Sequence, residues 1–201
     1  MISVCIQKYK FRGVFIMEKH KTCSFFGHRK AKCTDLIMKK VSEIVENLIV
    51  YCGVRVFLFG SRSAFDRLCH LVVTQLKEKY PEIKRVAYTC KSETCILESE
   101  KGAWGKRYAL LQQTDVVLLG VEEEFGHKTK YTAGRASYIE RNQAMVNDSD
   151  YCVFYYDENY LPERRKYARE SAGEYQPNSG TALAYAYAKR KNKTLINVYQ
   201  K

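Results

Sequence analysis

Proline is scarce in this chain, with three in 201 residues, and glycine numbers only eleven. That excludes a collagen-like chain, a proline-rich rod and a flexible low-complexity linker. No apolar run reaches the roughly 20 residues that a bilayer-crossing helix needs, and no segment repeats. The C-x-x-C pair is also missing. The eight cysteines, Cys5, Cys23, Cys33, Cys52, Cys69, Cys90, Cys95 and Cys152, stand scattered. No histidine accompanies Cys90 and Cys95 at metal-ligand spacing. Several of the eight fall inside predicted strands or helices, where a thiol behaves as a small hydrophobe. The expectation is therefore reduced free thiols, no metal centre and a cytoplasmic location. The segment Met1–Met17 carries Lys8, Lys10 and Arg12 but no clean apolar core or cleavage site, which argues against a signal peptide. Met17, followed by Glu18-Lys19-His20, reads as an internal start. Residues 1–16 then form an extension outside one domain spanning 17–201.

What is present is globular material: 46% of residues are hydrophobic and 28% charged, enough to build one ordinary core. Acids are the minority charge, 22 against 34 lysines and arginines, for a formal net charge of +12. Such an excess suits an anionic partner: nucleic acid, a membrane surface or a phosphate-rich small molecule. The lysines are read as spread through helices and loops, which favours a small anionic ligand or a diffuse nucleic-acid face over a polybasic tail.

Strand-like and helix-like patterns alternate along the chain. Thr22–Gly27 is a short apolar run ending at glycine, and Thr34 can cap the helix that follows, with Asp35 at its dipole-favoured start. Leu36, Ile37, Val41, Ile44, Val45, Leu48 and Ile49 then recur at helical spacing. Val54–Gly60 is a β-branched and aromatic run, and Leu68, Leu71, Val72 and Leu76 mark a second amphipathic helix stopped before Pro81. Ile83–Cys90 and Asp115–Gly120 read as a third and a fourth strand, with a helix around Trp104–Gln113 between them. Ala133–Asn147 reads as a helix, Tyr151–Tyr156 as a fifth strand, Ser179–Arg190 as a helix and Thr194–Tyr199 as the last strand. Strands separated by helices demand crossover connections. The fold class is therefore α/β, a Rossmann-like open and mainly parallel sheet with helices on both faces.

In such sheets ligands bind beyond the carboxyl ends of the strands, so the loops there carry the functional reading. Three loops qualify: Gly27-His28-Arg29, then Gly60-Ser61-Arg62-Ser63-Ala64-Phe65-Asp66, and Asn178-Ser179-Gly180-Thr181 at the start of the last helix. Small residues at a strand-to-helix turn let a phosphate reach bare backbone N–H groups, and the helix dipole favours its charge. Ser179 and Thr181 add hydroxyls, while Arg29 and Arg62 can neutralise charge. Each loop also has an ordinary explanation: Gly60 ends a strand, Ser179 caps a helix, Asp66 holds its own loop. His28 is open between a ligand contact and a hydrogen-bonded structural histidine. The run Phe154-Tyr155-Tyr156 reads as core strand rather than a base-stacking platform. The long connection Asp157–Asn178 is rich in cations, and Arg164, Arg165 and Arg169 are read as a basic lid over the ligand.

At these loops the chain resembles the SLOG superfamily, which joins DNA-processing Smf/DprA proteins with LOG cytokinin-activating enzymes, and above all its YpsA-like branch. The resemblance runs from about Thr22 to the C-terminus. It rests on Phe26-Gly27-His28-Arg29, Gly60 through Asp66, Tyr138-Ile139-Glu140-Arg141-Asn142-Gln143-Ala144-Met145, and Ser179-Gly180-Thr181. It implies a nucleotide-type pocket and, since relatives often pair, a homodimer. LOG-like enzymes cleave the N-glycosidic bond of a nucleoside 5′-monophosphate with an arginine and a glutamate. Arg141 matches the arginine, while Ala184 stands where the glutamate is expected. Ser61 and Ala64 also replace glycines usual in the YpsA-like pattern.

Ligand contacts are thus expected from Gly27, His28, Arg29, Gly60, Ser61, Arg62, Ser63, Asp66, Arg141, Asn142, Ser179, Gly180 and Thr181. The leading reading is a sensor or sequestering pocket for a nucleotide-derived phosphate, needing no further cofactor and no membrane. A LOG-like nucleotide hydrolase is the alternative, with Arg141, Glu140 and Asp66 as catalytic candidates. Single-stranded nucleic-acid binding is the third reading.

Overall fold

The computed structural model describes residues 20–29, 31–60, 63–90, 123–127, 134–162 and 179–200. Strands β1 (Lys21–Gly27), β2 (Val54–Phe59), β3 (Lys84–Cys90), β4 (Glu123–His127), β5 (Tyr151–Tyr155) and β6 (Thr194–Asn197) form one sheet. Its order is β4-β3-β2-β1-β5-β6, and every pairing is parallel. The helices are α1 (Asp35–Val50), α2 (Ala64–Lys79), α3 (Gly134–Asn147) and α4 (Gly180–Arg190). No described helix is long and apolar enough to cross a membrane.

Period-two alternation explains why both faces of the sheet are buried. Cys23, Phe25, Phe57, Phe59, Val153 and Tyr155 share a core with Val41, Val45 and Leu48 of α1 and Phe65, Leu68 and Val72 of α2. Their strand neighbours Phe26, Leu58, Cys152 and Phe154 point the other way. They pack with Ala144, Met145 and Val146 of α3 and Ala184 and Ala188 of α4. The two layers of helices on an open parallel sheet are the expected α/β architecture.

The helix starts are chemically marked. Thr34 Oγ1 accepts the N–H of Ile37 at 3.3 Å, Ser63 Oγ that of Asp66 at 3.0 Å, and Ser179 Oγ that of Ala182 at 3.1 Å. Each hydroxyl satisfies an amide that the first turn leaves unbonded. Cys23, Cys33, Cys52, Cys69 and Cys152 are free thiols. Burial pushes the Cys152 thiol up to about 11 and raises Cys23 and Cys69 as well, so these thiols stay protonated and unreactive.

One strand differs from the sequence reading. The fourth described strand is Glu123–His127, a polar stretch at the sheet edge, paired along Val86–Cys90. Its sequence, EEFGH, has no β-branched residue and no alternation to betray it. The strand expected at Asp115–Gly120 and the helix around Trp104–Gln113 lie outside the described residues, as does the proposed extension.

Candidate functional site

The chain winds outward from β1 through β2 and β3 to β4, then returns to lay β5 on the opposite side of β1. The order reverses between β1 and β5. A crevice opens at the carboxyl ends of such a pair, because the flanking connections leave in opposite directions. Gly27-His28 emerges on one side of it and Tyr156-Asp157 on the other.

His28 ties the two sides together. It is 2% exposed, and its Nε2 accepts the N–H of Asp157 at 3.0 Å. The same nitrogen lies 3.2 Å from the Asp157 carbonyl oxygen, and Nδ1 faces Ser179 Oγ at 3.4 Å. Burial holds the imidazole below its ordinary range, against the opposing pull of Asp157. Its ring stacks on Tyr160 at 3.9 Å, and Tyr156 in turn stacks on Tyr185 of α4 at 4.5 Å. Both ring nitrogens are engaged, so His28 acts as a brace between the β1 loop, the β5 loop and the cap of α4. Neither the Tyr160 stack nor the Asp157 contact has a signal in the sequence, since 129 residues separate the partners of the latter.

A second cluster sits at the end of β2. Asp66 in the first turn of α2 and Arg141 in the middle of α3 are each 6% exposed. Ser63 Oγ donates to Asp66 Oδ2 at 3.3 Å, while Oδ1 makes no hydrogen bond of ordinary geometry with any described residue. Burial raises the Asp66 carboxyl, opposed by the Arg141 guanidinium and by donors of Gly60 and Ser63. Arg141 donates from Nη2 to Asn142 Oδ1 at 3.2 Å, and its head lies 5.3 Å from the Tyr138 ring centre. A Cβ built on Gly60 would stand 3.0 Å from Arg141 Nη2 and 3.3 Å from Met145 Sδ. The glycine therefore lets the guanidinium lie against bare backbone. Gly60, expected to contact a ligand phosphate, thus lies directly beside Arg141.

The raised Asp66 carboxyl has a consequence for stability against pH. A folded-state value above the unfolded one stabilises below the ordinary carboxylate range near about 4 and is lost as pH rises through the raised value. Wild type should thus lose stability relative to Asp66→Asn across that window, as read from urea midpoints at a series of pH values. Parallel profiles for the two proteins would show that Asp66 is as solvated folded as unfolded.

The third loop begins α4. Gly180 is exposed, and a Cβ there would meet nothing within 4 Å. Thr181 is 7% exposed, and Ala184, one turn further, is 2% exposed in the apolar cluster between α3 and α4. The structure thus gathers Gly27, His28, Gly60, Ser63, Asp66, Arg141, Asn142, Ser179, Gly180 and Thr181 on the carboxyl edge. Arg29 is exposed beside His28, and Glu140 is half-buried on α3. Ser61, Arg62 and the lid cations Arg164, Arg165 and Arg169 lie outside the described residues. Gly27 has a structural reason of its own, because Phe65 Cβ would stand 2.3 Å from an added Cβ. Of the aromatic run, Phe154 and Tyr155 are buried core as expected, while Tyr156 lies beyond the strand and is half-buried.

This arrangement of loops on a parallel sheet has a counterpart among known families. The YpsA model, described as the YspA SLOG family, matches residues 18–189, most of the chain. The chain belongs to the YpsA SLOG family. No curated protein matches it. Within the matched span fall all three loops, the helix bearing Arg141 and strands β1 to β5, while β6 lies beyond it.

Proposed function

We infer that the carboxyl edge binds a nucleotide or nucleotide-derived phosphate as a sensing or sequestering pocket, without turning it over. The observation that carries this reading is the buried guanidinium of Arg141 set against the bare backbone of Gly60 at the end of β2. Burial raises the Asp66 carboxyl, and the Arg141 guanidinium beside it is the first of the influences that oppose the rise. The planar guanidinium of Arg141 matches phosphate in charge and in the geometry of its donors. The open N-terminus of α4 at Gly180 supplies further amide donors and a favourable dipole on the same edge. Membership of the YpsA SLOG family supports a nucleotide-related ligand. The absence of turnover is supported by Ala184, whose site is sealed in apolar side chains.

Thermal shift with nucleoside 5′-monophosphates tests this. Gly60→Ala should keep the fold, because Arg141 and Met145 meet the new Cβ with the far ends of flexible side chains. It displaces the guanidinium by a few tenths of an ångström and should weaken the ligand-induced shift. Gly180→Val fills the space above α4 and should remove the shift while leaving the melting temperature of the free protein unchanged. Wild-type shifts in both variants would place the ligand elsewhere.

One observation favours the alternative LOG-like hydrolase. A buried carboxyl with a raised proton affinity beside a fixed guanidinium is suited to general acid catalysis. Release of free base from a nucleoside monophosphate, abolished by Asp66→Asn, would establish that reading over the first.

A further inference from the structure

The opposite, amino edge of the sheet carries a concentration of positive charge that the candidate pocket does not use. Lys189, Arg190, Lys191 and Lys193 crowd the end of α4. The turn that displays them is rigid. Asn192 adopts the left-handed conformation at φ 52°. The N–H of Lys193 bonds the carbonyl of Ala188 at 3.1 Å and that of Asn192 the carbonyl of Lys189 at 3.1 Å. This is the Schellman pattern, which closes a helix without a flexible end. The cationic heads are also placed. Arg190 Cζ and Lys191 Nζ lie 5.2 and 5.5 Å from the Tyr187 ring centre, and Lys193 Nζ donates to the Asn147 carbonyl at 3.0 Å. Tyr187 is itself held by a 3.0 Å hydrogen bond from its hydroxyl to Asn147 Oδ1.

Helix-end cations are favoured by the dipole, yet one or two suffice for that. Four held together repel one another, and none has a carboxylate within 4.0 Å among the described residues. The acids of the neighbouring α3–β5 turn are committed elsewhere, Asp148 accepting from Tyr88 at 2.9 Å and Asp150 from the Thr22 N–H at 2.9 Å. Lys21, exposed at the start of β1 with its head 5.9 Å from the Tyr151 ring centre, extends the positive strip along the same edge.

We propose that this turn binds the phosphodiester backbone of a nucleic acid, independently of the carboxyl-edge pocket. Phosphate contacts need only fixed cations, which is what the turn presents. Cations alone also attract an anionic membrane surface, but stable anchoring there calls for an inserted apolar group as a second signal. Among the described residues the exposed large apolar side chains, Leu36, Val50, Tyr51, Leu71 and Leu161, lie on α1, at its end, on α2 and in the β5 loop. A protein partner would call for an apolar or aromatic interface centre, and the one aromatic ring of the turn is engaged by its own cations. The net charge of +12 adds long-range attraction for a polyanion.

Fluorescence anisotropy with a labelled single-stranded oligonucleotide and with a duplex, at about 50 and about 200 mM salt, tests the proposal. Each phosphate contact contributes roughly 0.7 to 0.9 to the slope of log affinity against log salt. The triple variant Lys189→Gln, Arg190→Gln, Lys191→Gln keeps good helix formers. It should bind at least about ten-fold more weakly, with a slope shallower by about 2. The control Lys32→Gln, Lys39→Gln, Arg67→Gln removes as many exposed charges from α1, the residues before it and α2, and should bind as wild type does. Four results overturn the proposal: no wild-type binding at the lower salt; a triple variant indistinguishable from wild type; an equal loss in the control; or preference for phosphatidylserine vesicles over either nucleic acid. The melting temperature of each variant, unchanged for these exposed positions, separates lost contacts from lost fold.

Discussion

Gly27→Ala is expected to lower the stability of the fold by about 3 kcal/mol, the upper part of the range for overpacking a core. An added Cβ would stand 2.3 Å from Phe65 Cβ, 2.8 Å from its Cγ and 2.9 Å from Cδ1. The nearest of these atoms is fixed by the backbone of α2, so no rotamer change of Phe65 removes the collision. Either the first turn of α2 moves away from β1 or β1 shifts in the sheet. Phe65 is fully buried between the two layers and touches Tyr155 at 5.7 Å between ring centres, so either movement opens the core. For a chain of this length the melting temperature should fall by roughly 6 to 12 °C. Gly180→Ala, with nothing within 4 Å of its Cβ, is the matched control and should melt as wild type does. A Gly27→Ala protein as stable as wild type would mean that β1 and α2 do not approach this closely.

Arg141→Ala should have the largest combined effect, removing about 3 kcal/mol of stability at neutral pH together with the response to nucleotide. Removing one member of a buried charged cluster leaves the other without compensation, and such losses run at about 3 to 5 kcal/mol. The lower figure applies here because Asp66 can take up a proton, its carboxyl being raised already with Arg141 present. Without the guanidinium that affinity rises further. The variant should therefore recover stability relative to wild type as pH falls through the carboxyl's range, the direction required when the folded state prefers the protonated form. Arg141→Lys restores the charge without the planar fork, and should regain more of the stability than of the nucleotide response. Denaturant midpoints at neutral and acid pH, with thermal shifts for the ligand, separate the two losses. An Arg141→Ala protein that keeps its nucleotide-induced shift would remove Arg141 from the pocket.

These two residues also show how unequally the chain discloses its structure. The fold was legible because its signals are local. β-branched and aromatic runs such as Val54–Phe59 and 3.6-period runs such as Leu36–Ile49 state their own element, and Thr34 and Ser179 mark helix starts by hydroxyls that bond amides three residues on. The exception, β4 at Glu123–His127, lies at a sheet edge, where backbone pairing with β3 suffices and no apolar alternation is needed. The motif residues were likewise legible by resemblance, and the match over residues 18–189 establishes the family.

Which of those residues meet, and what each does there, could come only from the tertiary structure. Strand order brings β5 beside β1 and so joins His28 to Asp157 across 129 residues of chain. Nothing local in Gly27-His28-Arg29 distinguishes a brace from a ligand contact. Helix α3 carries Arg141 to the end of β2, where its guanidinium lies against the backbone of Gly60. Burial then decides the chemistry, because the same aspartate beside the same arginine would ionise normally in water but is pushed toward its neutral form here. Sequence by itself determined the elements and their alternation, since propensity, capping and hydrophobic period act over a few residues. Proximity, burial and charge balance were decided by the packing of six parallel strands, which only the folded chain possesses.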